Sequence, residues 1–109
     1  MKIEKISKSK VLKLAKQTDY LVWQGCGGPL EDWYNGITKM LIENEIADKN
    51  YKMKEMYVFD NDGLTCILTP LDKLDLRKLA IMRLKWRETF GTMWLSDYID
   101  NKYIQIGDK

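Results

Sequence analysis

Residues 54–69 constrain the fold more than any other stretch. Met56, Tyr57, Val58 and Phe59, and then Leu64, Thr65, Cys66, Ile67, Leu68 and Thr69, are two runs of β-forming side chains. Asp60-Asn61-Asp62-Gly63 stands between them and supplies residues that tolerate positive φ, while Pro70 cannot extend a ladder. A β-hairpin is the expected outcome, and with it an antiparallel sheet. The same Asp-rich tetrapeptide resembles the opening of a calcium loop, but no acid follows at the closing position, so a turn explains it better.

Helical periodicity frames the hairpin. Pro29 begins a segment, roughly 29–46, in which Leu30, Trp33, Tyr34, Ile37, Met40 and Leu41 form one apolar stripe, with Glu31 and Asp32 in the first turn where the helix dipole favours acids. A second helix is expected over roughly 73–89, with Leu79, Met82, Trp86 and Phe90 on its apolar side and Gly91 as its stop. Residues 8–17 form a shorter one, with Ser7 or Ser9 as N-cap. Tyr20-Leu21-Val22-Trp23 reads as a strand buried on both faces or an edge strand packed under a helix, Trp94–Ile99 as a helical turn, and Tyr103–Ile106 as a last strand. The predicted architecture is one α+β domain, residues 1–109. It has a small antiparallel sheet of about three strands and two or three helices packed on one face.

Composition restricts the chemistry. The chain contains no His, which removes Ser-His-Asp, Cys-His and His-metal mechanisms together. Two Cys, Cys26 and Cys66, could form one bridge but lack the spacing of a zinc site. No catalytic residue, metal ligand or cofactor motif is expected. No stretch approaches the ~20 apolar residues of a membrane span, and the first ten residues lack the apolar segment of a secretory signal, so a cytoplasmic protein with reduced thiols is expected.

Charge is segregated along the chain. The net charge is +2, but residues 1–18 carry six Lys and one Glu, and residues 73–91 carry six basic and two acidic side chains. Residues 19–50 carry six acids and two Lys. One expectation is an acidic helix bearing Glu31, Asp32, Glu43 and Glu45 that meets an Arg/Lys-lined partner groove. Another is a basic face of the two flanking helices, including Lys2, Lys5, Lys10, Lys13, Lys78 and Lys85, that binds nucleic acid.

Three further features bear on recognition. Arg83 and Arg87 fall on the shoulder of the second helix's apolar stripe, where they either pair with Asp97 and Asp100 or form an interface rim with Trp94 and Tyr98. Gly25, Cys26, Gly27 and Gly28 join a strand to a helix start, a context suited to a tight turn, an anion or a partner contact. A thiol-dependent enzyme using Cys26 is the remaining alternative, although no His exists to serve as its base.

The run Leu79-Ala80-Ile81-Met82-Arg83-Leu84-Lys85-Trp86, with Phe90-Gly91-Thr92 and Trp94-Leu95-Ser96-Asp97-Tyr98, resembles a stretch near the end of small accessory proteins of bacterial conjugative elements and phages. It covers less than a fifth of the chain. The resemblance implies a mobile-element setting, and in that setting a small His-free domain with a mixed-charge surface is similar to inhibitors of host defence. Such a protein is similar to anti-CRISPR proteins, which occupy the nucleic-acid-binding surface of a host defence nuclease. It implies a protein partner and says nothing of oligomeric state.

Overall fold

The computed structural model describes residues 2–104. The hairpin forms as expected from β3 (Glu55–Asn61) and β4 (Leu64–Pro70), with Asn61 opposite Leu64. Its two turn residues, Asp62 and Gly63, have φ of 54° and 84°, the left-handed pair of a type I′ turn. β2 (Tyr20–Gly25) pairs antiparallel with β4 from Tyr20↔Pro70 to Gly25↔Thr65.

Two short strands complete the sheet. β1 (Lys2–Lys5) lies parallel to β3, and the two-residue β5 (Met93–Trp94) lies antiparallel to β2. The order is β1-β3-β4-β2-β5. Among the described residues the sheet is therefore mixed and five-stranded, where an antiparallel sheet of about three strands was expected. A four-residue and a two-residue strand are too short to show an alternation of their own.

Helices cover both faces, which corrects the one-faced arrangement. α2 (Leu30–Glu43) and α3 (Leu76–Phe90) bury Tyr34, Ile37, Leu41, Leu79 and Trp86 against Leu21, Trp23, Met56, Val58 and Ile67. On the other face α1 (Lys8–Gln17) and α4 (Leu95–Asp100) bury Val11, Leu14, Leu95 and Tyr98 against Tyr20, Val22, Tyr57, Phe59, Cys66 and Leu68. Neighbouring strand residues point to opposite faces, so strands covered twice are apolar continuously rather than alternately. Truncating one of these core side chains to Ala removes roughly 2–5 kcal/mol of stability.

Local chemistry sets the element ends. Ser7 Oγ accepts from Lys10 N–H at 3.2 Å and caps α1, and the Asp75 carboxylate accepts from Arg77 and Lys78 N–H and caps α3. Asp19, just before β2, accepts from the Ser96 N–H at 3.0 Å and hydroxyl at 2.9 Å, so the neighbouring strand's start satisfies the first turn of α4. α2 stops at Glu43, short of the expected residue 46. Glu45 turns left-handed (φ 59°), Glu45 N–H donates to Ile42 O, and Ile46 N–H donates to Leu41 O at 2.9 Å. That is a Schellman closure, and it folds Ile46 back into the core beside Leu41. The expected 103–106 strand is not seen at Tyr103 and Ile104; residues 105 and 106 lie outside the described part.

Candidate protein-interaction site

The glycine loop and α2 build an open groove. Trp33, on the first turn of α2, lays its ring against Gly25, where any Cβ would collide with it. Its indole N–H donates to Gly27 O at 2.9 Å. Gly27 and Gly28 have φ of 103° and 105°, a backbone region that L side chains rarely adopt, so the loop needs glycine to reach this shape. Trp33 thus staples the loop to the helix.

Beside this staple runs a groove of about 530 Å³. Trp33, Ile37, Met40 and Phe90 make its apolar lining, and Gly27, Gly28 and Pro29 close one end. Asp32, Gly36, Lys39 and Glu43 follow one another along α2 at spacings of four, three and four, so they form one wall. The two carboxylates mark the ends, separated by ~16 Å of helix rise. Gly36 leaves the wall open at its middle: a Cβ there would meet nothing within 4 Å.

Of the four acids expected to act together, Asp32 and Glu43 line this groove, and all four are exposed. Glu31 stands beside Asp32, while Glu45 lies past the helix end and pairs with Lys78 at 3.6 Å. The acids therefore form two separated ends rather than one cluster. Glu31 and Asp32 also place negative charge where an anion would sit, which weighs against an anion site at the Gly25–Gly28 loop and in favour of a contact.

The aromatic and arginine expectations separate. Tyr98, expected at the partner surface, is only 1% exposed. Its hydroxyl accepts from Asn61 Nδ2 at 2.6 Å and donates to Gln24 Oε1 at 3.0 Å, with Cys66 Sγ 3.5 Å away. Burial pushes both the Tyr98 phenol and the Cys66 thiol above their ordinary pKa values. Tyr98 is part of a buried polar network, and no partner can touch it.

Arg83 and Arg87 make no ion pair with Asp97 or Asp100 among the described residues. Arg83 is half-buried with its guanidinium 5.7 Å from the Trp94 ring centre, a cation–π contact. Its buried Nε has no hydrogen-bond partner there. Trp94 is half-buried under it and held in β5, and Arg87 remains exposed.

The lysines do not form one basic face. Lys10 and Lys13 belong to α1 and Lys78 and Lys85 to α3, on opposite sides of the sheet, with Lys2 and Lys5 on the edge strand β1. Cys26 is an exposed free thiol and Cys66 a buried one, so the two are not bridged. Cys26 makes no hydrogen bond to a base among the described residues. No group of three or more His, Cys, Asp or Glu side chains that could hold a metal occurs among them either. No helix in this part is long and apolar enough to cross a membrane. No protein-family model, curated protein or solved structure matches the chain.

Proposed function

We propose that this chain is a non-catalytic binding module that seats a protein partner in the α2 groove. The observation that carries the reading is the groove's layout: an apolar, aromatic lining bounded by Asp32 at one end and Glu43 at the other. Such a site suits a partner segment that inserts an aliphatic or aromatic anchor and sets basic side chains on either side of it. The buried anchor supplies most of the affinity, and the exposed acids supply steering and register. In the mobile-element setting that residues 79–98 resemble, the partner is a nucleic-acid-handling protein of host defence. Its Arg/Lys-lined surface would be covered rather than cut or modified.

The test is charge reversal of Glu31, Asp32, Glu43 and Glu45 to Lys. A protein captured from host extract by the wild-type chain is expected to be lost from the variant while circular dichroism stays the same. Capture should also weaken as salt rises, because rim charges are screened. Equal capture by a folded variant refutes the proposal.

A further inference from the structure

The outward side of α3 carries a second pattern that the fold leaves unused. Arg77, Ile81, Leu84 and Glu88 recur at spacings of four, three and four, within ~60° of one another on the helix, the 3-4 repeat of a coiled-coil seam. Leu79 and Trp86, on the opposite side, are the residues buried in the core. Ile81 is 63% exposed and Leu84 52%, the two most exposed large apolar side chains among the described residues. Arg77 and Glu88 are exposed, and neither joins an ion pair there.

We propose that this stripe is a self-association surface on which two copies of the chain pack α3 against α3, antiparallel, about a two-fold axis passing between residues 82 and 83. That register places Ile81 on Leu84 of the second copy, and Leu84 on its Ile81. Arg77 then faces Glu88 of the second copy at one end, and the reciprocal pair forms at the other. The contact is isologous, as a closed dimer requires.

Charge decides the direction. A parallel arrangement would set Arg77 against Arg77 and Glu88 against Glu88, whereas the antiparallel one pairs every charge in the stripe with its opposite. Lys78 and Lys85 flank the stripe on one side and approach each other across the axis; Lys78 is drawn toward Glu45 at 3.6 Å, and the remaining like-charge repulsion keeps the contact weak. One helix face with two apolar layers is a small interface, so the association is weak and dependent on concentration. The proposal is independent of the α2 groove, which uses a different side of the same helical layer.

Sedimentation equilibrium of the full chain, from about 10 µM to about 1 mM, tests it. A reversible monomer–dimer equilibrium is expected, and Ile81→Arg should weaken it at least ~10-fold. Arg77→Glu and Glu88→Arg should each weaken it about threefold, and the double swap should restore it, because the swapped charges again face opposites. All three positions are exposed, so the variants keep the fold. A chain that stays monomeric throughout overturns the proposal. So does a dimer indifferent to Ile81→Arg, or a double swap that fails to restore what each single change lost.

Discussion

Gly36 offers the sharpest test of the groove, because its effects on stability and on binding should have opposite signs. It lies in the interior of the 14-residue α2, where glycine costs roughly 0.5–1 kcal/mol relative to alanine through the backbone entropy it loses on folding. A Cβ at this position would meet nothing within 4 Å, so alanine brings no clash to offset that gain. Gly36→Ala should therefore stabilise the protein by about 0.7 kcal/mol, roughly 2–4 °C in Tm for a chain of this size. Thermal unfolding followed by far-UV circular dichroism measures this, with a urea midpoint that rises at unchanged slope as the check. Gly36→Leu extends the same logic. Leucine is a good helix former, so stability should stay at or above wild type, but its side chain must enter the groove and partner capture should fall sharply. A destabilised Gly36→Ala would mean that the wall of α2 is not open at this residue. A stable Gly36→Leu variant that still captures its partner would mean that the groove is not the contact surface.

Glu45→Gly should stabilise the fold by ~0.5–1 kcal/mol. It relieves a side chain held at φ 59° and loses only one exposed pair with Lys78; a lowered urea midpoint would contradict the Schellman account of where α2 ends. The pH dependence should lie on the alkaline side. Burial pushes the Tyr51 and Tyr57 phenols up to about 12 and raises Tyr20, Tyr98 and Cys66 as well. The unfolded chain then releases these protons first, and stability falls as pH rises above the unfolded values of ~8.5 for the thiol and ~10 for the phenols. With no His, stability should be flat from about pH 5 to 7. A step in urea midpoint near pH 6.5, or a rise between pH 9 and 11, would contradict this.

Much of the fold was legible because local chemistry and tertiary packing agree in those segments. Residues 8–17 form α1 with Ser7 as its cap, the hairpin turns at Asp62-Gly63, and Gly91 ends α3 in the left-handed region. The two-faced packing was legible in Tyr20–Trp23, whose unbroken apolar run fits a strand buried on both faces, but it was not extended to the hairpin and the helix layers. Tyr20–Trp23, Met56–Phe59 and Cys66–Leu68 are apolar without alternation because helices lie above and below them. Tyr98 shows the opposite limit. A Tyr beside Ser96 and Asp97 looks amphipathic, and only Asn61 and Gln24, 37 and 74 positions away, make its burial affordable.

The candidate site divides in the same way. Glu31, Asp32 and the Gly25–Gly28 loop were readable as a strand-to-helix junction, but the Trp33 ring over Gly25 joins residues that periodicity alone assigns to the core and to a turn. That contact and the indole bond to Gly27 O fix the loop beside the wall of α2 that has Gly36 at its middle. Trp33 therefore does three things at once: it packs against the core, holds the loop through Gly27 O and lines the groove. Trp33→Leu should keep the stripe apolar while releasing the loop, and partner capture should fall with Asp32, Glu43 and Gly36 all still in place.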